Sequence, residues 1–567
     1  MKNEKKEERK EKEITASDLV VHCLEAEGVK YIFGLPGEEN EDLLFSLDTS
    51  SIKFIPTRHE QGAAFMADVY GRLTGKAGVC LSTLGPGATN LITGVADAHL
   101  DKAPLVAITG QGSSRRLHKE SHQIVDIVNL FKPIVKWNAS INHVDTIPEI
   151  VRKAFKLAEM EKPGATHFEL PEDIAKLPAG EKKPITPQRL RRAAPDYKAL
   201  QAAIDLLKAA KKPLIIAGNG AIRKLASKHL TEFVNQTRIP VVSTFMGKGA
   251  VSDKNQHSLF TVGLRGRDYV MCAIEQADVI ITVGYDVAEY DPQAWNPNKK
   301  KKIIHLDFLP AEVYEYYQPD VEVACDISGV LWDLNAIVKK EKISFSSEWC
   351  APVRETIRKD IDSYTLKEGQ SFTVPGTLNI IRSLMRDEDI IISDVGAHKM
   401  WIARNYPVYA PNACIISNGL ASMGIAVPGG IAAKLAHPDK RVVSATGDGG
   451  FMMNSHEIET AKRIGVGYTI VIFNDFDYGL ISWKQEDHHG RSVGTKLGNP
   501  DFKKYAESFG IRGYCPKTVS ELKQNLKEAI ESGEMCVVEV RIDASENKRL
   551  GEKLKSDLCS VFYGKKK

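Results

Sequence analysis

No Cys-x-x-Cys pair occurs among the nine cysteines of this 567-residue chain, which sit at 23, 80, 272, 325, 350, 414, 515, 536 and 559. That scatter excludes a zinc knuckle and gives no sign of a disulfide framework, so the expectation is reduced, mostly buried thiols. An excess of one charge is also missing. Lys and Arg number 76 against 73 Asp and Glu, a net +3 that lacks the basic footprint of a dedicated nucleic-acid binder. Nor is there an uninterrupted apolar run fit to cross a bilayer. Ala413 to Ala433 carries no charge, but Ser417, Asn418, Gly419, Gly424, Pro428, Gly429 and Gly430 break it, and buried packing beside a site is its expected use. The start, Met1 to Glu13, alternates lysine and glutamate without the apolar stretch of a secretory signal; it reads as a solvated tail on a cytoplasmic protein with no membrane association.

What is present is a long alternation of short apolar runs with helical stretches. The first series includes Tyr31–Phe33, Lys53–Ile55, Gly78–Ser82, Pro104–Thr109 and Thr166–Leu170. A second runs through Pro213–Ala217, Pro240–Thr244, Asp278–Gly284 and Lys302–Asp307, and a third through Asp389–Asp394, Arg441–Thr446, Tyr468–Phe473 and Met535–Val540. Apolar runs spaced by helices predict parallel βα units, hence an α/β protein of three doubly wound parallel-sheet domains. The boundaries follow from composition: a charged tail over 1–13, a domain over 14–178, a Lys-, Arg- and Pro-rich linker over 179–195, and a Rossmann-like central domain over 196–340. A charged linker over 341–372, a third domain over 373–545 and a basic tail or lid over 546–567 complete the chain. The central Gly218-Asn219-Gly220 turn has Arg223 where a dinucleotide fingerprint wants a third glycine, so a plain strand-to-helix turn is the preferred reading. The first and third series read as possible copies of one architecture.

The sharpest local feature is Gly447-Asp448-Gly449-Gly450, directly after the run Arg441–Thr446. Asn454 and Glu457 resemble a capping box for the helix that follows, and Tyr468–Phe473 then leads to Asn474-Asp475. In a right-handed crossover both strands point the same way, so Asp448 and Asn474 arrive together at the carboxyl ends of neighbouring strands, where open α/β sheets bind ligands. A carboxylate and an amide oxygen suit a hard cation such as magnesium, which completes its shell with phosphate oxygens and water. Taken singly, each segment is an ordinary turn; the joint spacing under a glycine turn is what points to a phosphate and metal site.

The segment from Gly447 to Asn474 resembles the metal and diphosphate motif of thiamine-diphosphate enzymes. Phe33 to Gly37, Arg58 to Gln61, Gly71 to Gly75, Leu84 to Asn90 and Ser417 to Gly424 resemble the acetolactate synthase branch, so the likeness spans nearly everything from Ile14 to about Asn547. The resemblance implies that Asp448, Asn474 and the main-chain carbonyl of Phe476 hold Mg2+. It implies that Gly396, Ala397, His398, Gly449, Gly450, Tyr478 and Gly479 line the diphosphate, and that Ala421 and Met423 meet the aminopyrimidine. Glu60, supplied by a neighbouring subunit, would be the catalytic acid on the pyrimidine ring, and Gln123 would face a second substrate.

By the same resemblance, the chain decarboxylates pyruvate and joins the two-carbon fragment to a second pyruvate, giving 2-acetolactate and CO2, as a homodimer or homotetramer. Gly284 to Pro292 lacks the flavin-binding segment of the biosynthetic branch, which makes FAD an unexpected cofactor and places the chain nearest the flavin-free catabolic type. Lys484 aligns with the biosynthetic tryptophan of the acceptor pocket, beside Trp483, so a longer 2-keto acid is the less favoured acceptor. Glu38 and Glu39 depart from the family pattern, in a loop that there approaches the site. Two alternatives stay open: another thiamine-diphosphate-dependent decarboxylase or carboligase, and a catalytically idle binding protein, which retention of Glu60, Asp448 and Asn474 argues against.

Overall fold

The computed structural model describes residues 13–188, 192–263, 268–555, 558–559 and 562. The apolar runs become three six-stranded sheets in which all recorded pairings are parallel. The first sheet comprises β1 (Tyr31–Gly34), β2 (Lys53–Pro56), β3 (Gly78–Ser82), β4 (Leu105–Gln111), β5 (Asn138–Ser140) and β6 (Ala165–Pro171), in the order β2-β1-β3-β4-β6-β5. The second comprises β7 (Pro213–Ala217), β8 (Val241–Ser243), β9 (Ser258–Thr261), β10 (Val279–Val283), β11 (Lys302–Asp307) and β12 (Val321–Ala324), ordered β12-β11-β10-β7-β8-β9. The third comprises β13 (Ile390–Ser393), β14 (Cys414–Ile416), β15 (Val442–Gly447), β16 (Thr469–Asn474), β17 (Arg512–Tyr514) and β18 (Cys536–Arg541), ordered β14-β13-β15-β16-β18-β17. The first and third sheets therefore share one strand order, as expected of copies of one architecture.

Two compact units result. The first holds β1–β6 around an apolar core that includes Leu19, Val79, Ile108, Phe155 and Phe168. The second holds β7–β18, with cores on the central sheet (Ile215, Phe233, Ile281) and on the third (Trp401, Val443, Val538). Buried strands this apolar stabilise by about 25 cal/mol per Å² removed from water, and helices on both faces supply that burial. Among the described residues no helix is long and apolar enough to cross a membrane.

Several expectations are corrected. Cys272 and Cys559 form a disulfide across 287 residues of sequence, while the other seven cysteines are free. No spacing rule could have paired them, because the fold brings the chain end back to the helix Tyr269–Gln276. Asn454 and Glu457 do not form a capping box. Asn454 ends one helix, Asp448–Asn454, and its amide donates to the Gly424 carbonyl, while Glu457 opens a second, Glu457–Arg463, and accepts from the Thr460 hydroxyl. The charged stretch 341–372 contains the helix Ala351–Ser363, because Val353, Ile357 and Ile361 recur at helical spacing and are buried. Beyond 545 the chain continues as the helix Ser545–Lys555, with Leu550 and Leu554 buried.

Candidate active site

The third sheet's carboxyl edge gathers the polar residues. Asp448 follows β15 and Asn474 ends β16, its direct neighbour. Asp448 Oδ2 and Asn474 Oδ1 both accept from one nitrogen, Asn499 Nδ2, at 2.6 and 3.0 Å, so the two oxygens converge on a single point. Asn474 is held in this orientation by its own amide nitrogen, which donates to Glu539 Oε1 at 2.9 Å. Phe476 takes a left-handed backbone, φ +56°, that L-residues other than Gly, Asn and Asp rarely adopt, and its carbonyl accepts from Leu497 N–H at 2.9 Å. That carbonyl keeps a second lone pair.

The electrostatics ask for a cation. Burial raises the Asp448 carboxyl above the usual range, and Asp475 is pushed up to about 7 by burial, reinforced by Asp448 and Asp477. Among the described residues no group of three or more His, Cys, Asp or Glu side chains is placed to hold a metal ion. The donor set is instead one carboxylate, one amide oxygen and one main-chain carbonyl, hard oxygens that suit Mg2+ with phosphate and water completing its octahedron. These residues fit the ion.

They fit a diphosphate as well. Gly396, Ala397, His398, Met423, Gly449, Gly450, Tyr478 and Gly479 line one cleft. A Cβ at Gly449 would lie 2.7 Å from the Tyr478 ring, at Gly450 3.1 Å from the Asp394 carboxyl, and at Gly479 2.3 Å from Asp475. Any side chain there would collide with the wall. His398 stands in the first turn of the helix Ala397–Asn405; burial lowers it to about 3, so it is neutral, and its buried Nε2 has no hydrogen-bond partner. The helix N-terminus offers the anion site, and the neutral ring gives its one N–H to the Asp394 backbone.

The loop carrying Ala421 and Met423 follows β14 and is tied down by Asp394, which ends in a web of donors: Val395 N, Gly424 N, Ala426 N and the Thr446 hydroxyl. Gly424 turns at φ +96° to deliver its N–H, and Ala421 sits at φ +56°. Strained backbone of this kind persists where the surroundings over-determine it, commonly at functional sites.

In the first unit, Glu60 is buried at the start of the helix Glu60–Thr74 and its Oε2 accepts from Asn90 Nδ2 at 3.0 Å. The turn Gly85-Pro86-Gly87 serves both candidates of this unit. A Cβ at Gly87 would lie 3.3 Å from Glu60 Oε1, and one at Gly85 would lie 2.8 Å from the Gln123 carbonyl. Gln123 itself is exposed at φ +60°. Glu38 is exposed, whereas Glu39 accepts from the Thr83 hydroxyl at 2.7 Å and lies 4.0 Å from the Arg116 guanidinium. Lys484 is exposed on the helix Gly479–His489, outside the cleft that Tyr478 to Ile481 line.

Three residues that order the site went unread in the sequence. Asp394 ends a run at the same sheet edge as Asp448; Asn499 stands in a Gly-Asn-Pro turn; Glu539 is a lone acid inside an apolar strand. Each left a signal, but none declared a partner.

The comparisons with known proteins agree with this geometry. Residues 394–540 match the thiamine pyrophosphate enzyme C-terminal TPP binding domain, 14–130 the N-terminal TPP binding domain, and 200–334 the central domain. The chain is 34% identical over 545 residues to the acetolactate synthase of Bacillus subtilis, covering 94% of each protein. It is 35% identical to the catabolic acetolactate synthase of Raoultella terrigena, over 94% of this chain and 95% of that one. This chain belongs to the acetolactate synthase family. It is also 35% identical to a probable acetolactate synthase large subunit of Methanocaldococcus jannaschii, over 94% of this chain and 92% of that one. In this family member the central glycine turn is occupied by the chain itself: Asn219 N–H donates to Glu289 Oε1 at 3.0 Å, and the Thr244 hydroxyl donates to the other oxygen.

Proposed function

We propose that this chain is a thiamine-diphosphate- and Mg2+-dependent acetolactate synthase, decarboxylating one pyruvate and joining the two-carbon fragment to a second. The observation that carries the reading is the convergence of Asp448 Oδ2 and Asn474 Oδ1 on one point beside a glycine-walled cleft. Asp448, Asn474 and the Phe476 carbonyl would hold the ion. The N–H groups opening the helix Ala397–Asn405 and the close-packed Gly449, Gly450 and Gly479 would receive the diphosphate, with Tyr478 and His398 as walls. Met423 and the main chain at Ala421 would support the pyrimidine ring.

Bound thiamine diphosphate supplies a carbon nucleophile and an electron sink that no amino-acid side chain provides. Glu60, from a neighbouring subunit, would hold the proton at ring nitrogen N1′, and its burial keeps that exchange away from bulk water. Gln123 would meet the second 2-keto acid. Lys484, outside the cleft, would act on acceptor choice only from its rim. The Glu289 carboxyl on the Gly218-Asn219-Gly220 turn supports a central domain that works without flavin. A homodimer or homotetramer is the assembly this division of labour requires.

Incubation with pyruvate, Mg2+ and thiamine diphosphate should yield 2-acetolactate. An aldehyde as sole product would replace this reading with a simple decarboxylase, and cofactor binding without any product would leave a binding protein.

A further inference from the structure

The chain end is fastened where it touches the helices of the cleft. Along the helix Ser545–Lys555, Asn547 Oδ1 accepts from the buried Trp401 indole at 2.7 Å, and Leu550 and Leu554 enter the core that contains Trp401. Gly551 lies flush on Trp483, where a Cβ would come within 2.9 Å of the indole. Trp401 and Trp483 belong to the helices Ala397–Asn405 and Gly479–His489, whose first residues line the cleft. Lys548 pairs with Glu486 at 2.7 Å and Lys555 with Asp487, both on the second of these helices.

From the last turn of that helix onward, described residues dock on the central domain's helix Tyr269–Gln276. Lys553 Nζ stands 4.9 Å from the Tyr269 ring centre and pairs with Asp360; Phe562 meets the same ring edge-on at 6.2 Å; Cys559 is bonded to Cys272. The disulfide is thus the one covalent link in a chain of contacts running from the central domain to both helices of the cleft. Seven other cysteines remain free thiols, so this bond is not one rung of a secreted-type framework; a lone disulfide among free thiols is the pattern of a switch.

We propose that Cys272–Cys559 is a redox-addressed latch that holds the helix Ser545–Lys555 against the cleft helices, opened by a dithiol reductant. A thiolate of the reductant attacks Cys559 Sγ, which keeps slight exposure, and the fully buried Cys272 leaves and takes a proton. The second reductant thiol then displaces Cys559. Two electrons and two protons pass to the protein, giving two thiols and one disulfide on the reductant. Internal reshuffling does not compete: Cys350, in the same apolar cluster, has its thiol pushed up to about 12 by burial and carries almost no thiolate. Reduction removes the fastening, and the helix Ser545–Lys555, left with its apolar and ionic contacts, opens more often.

The test counts thiols and measures backbone exchange in the full chain. Air-oxidised protein, denatured without reductant, should titrate seven thiols, and nine after dithiothreitol. On reduction, deuterium uptake of peptides covering 545–555 should rise several-fold, while β15 and β16 stay protected. Cys559→Ser should exchange like the reduced protein whether or not reductant is added, and Cys272→Ala, which alters the other end, should match it. Nine thiols in the oxidised protein, or exchange unmoved by reduction, would overturn the latch. The consequence for the cofactor rests on the proposed function: thiamine diphosphate should bind several-fold more weakly to the reduced form. If neither form binds it, the functional reading fails, while thiol count and exchange still decide the latch.

Discussion

Glu60 is buried and bonded to a neutral amide, Asn90, rather than to a cation. A carboxyl so placed is free to exchange a proton with a ligand. Glu60→Gln keeps shape and removes that capacity, so turnover of pyruvate should fall about 10²- to 10⁴-fold. Metal-dependent binding of thiamine diphosphate, followed by calorimetry, should survive. Equal activity in the variant would take Glu60 out of the reaction. The proposed metal point yields a contrasting pair. Asn499 donates to both converging oxygens, so it must yield when an ion takes them. Asn499→Ala should therefore lower the Mg2+ concentration for half-maximal cofactor binding, whereas Asp448→Ala should raise it by about 10- to 100-fold or more. Movement of both in the same direction would mean that Asn499 supports the ion rather than competing with it.

At the scale of elements, the central glycine turn makes a pH prediction. Glu289 fills that turn, and burial pushes it up to about 8 against the opposing hydrogen bonds from Thr244 and Asn219. Its unfolded value is about 4.3, so the folded state keeps its proton longer. The stability this group contributes is fully present below that unfolded value and is lost as pH rises through about 8. Glu289→Gln should then melt above wild type at alkaline pH and show a smaller or no advantage near pH 5, read as Tm across the range; a pH-independent offset would mean that the carboxyl does not titrate there. The same scale explains what could be read from sequence. Runs such as Val442–Gly447 and Thr469–Asn474 are buried on both faces and declare themselves by unbroken apolarity. β5, β12 and β17 escaped because they are three or four residues long and only partly buried, so they show neither an apolar run nor a period, and β9 and β14 were missed as well. Asp448 and Asn474 were legible because one βαβ unit fixes their geometry. Asp394, Asn499 and Glu539 reach the same edge from elsewhere in the chain, and the Cys272–Cys559 bond depends on a closure that only the folded chain makes.

For the whole molecule, the shared strand order of the first and third sheets sets their parts in correspondence. β3 matches β15, so the turn Gly85-Pro86-Gly87 beside Glu60 is the counterpart of the turn Gly447 to Gly450 that carries Asp448. β2 matches β14, so Glu60, which follows β2, is the counterpart of the loop of Ala421 and Met423, which follows β14. One architecture has been used twice, and under the proposed function its two edges take complementary duties, an acid on one and an ion with its phosphate cradle on the other. If the acid edge serves the cradle of a neighbouring chain, defects in the two edges must complement. Glu60→Gln and Asp448→Ala, each nearly inactive alone, would in a mixed dimer place both lesions in one site and leave the other intact. Random pairing after co-expression makes half the dimers mixed, so activity should return to about a quarter of wild type. If both edges served one site within each chain, every chain would carry a lesion and co-expression would restore nothing, which separates the two architectures by a rate measurement alone.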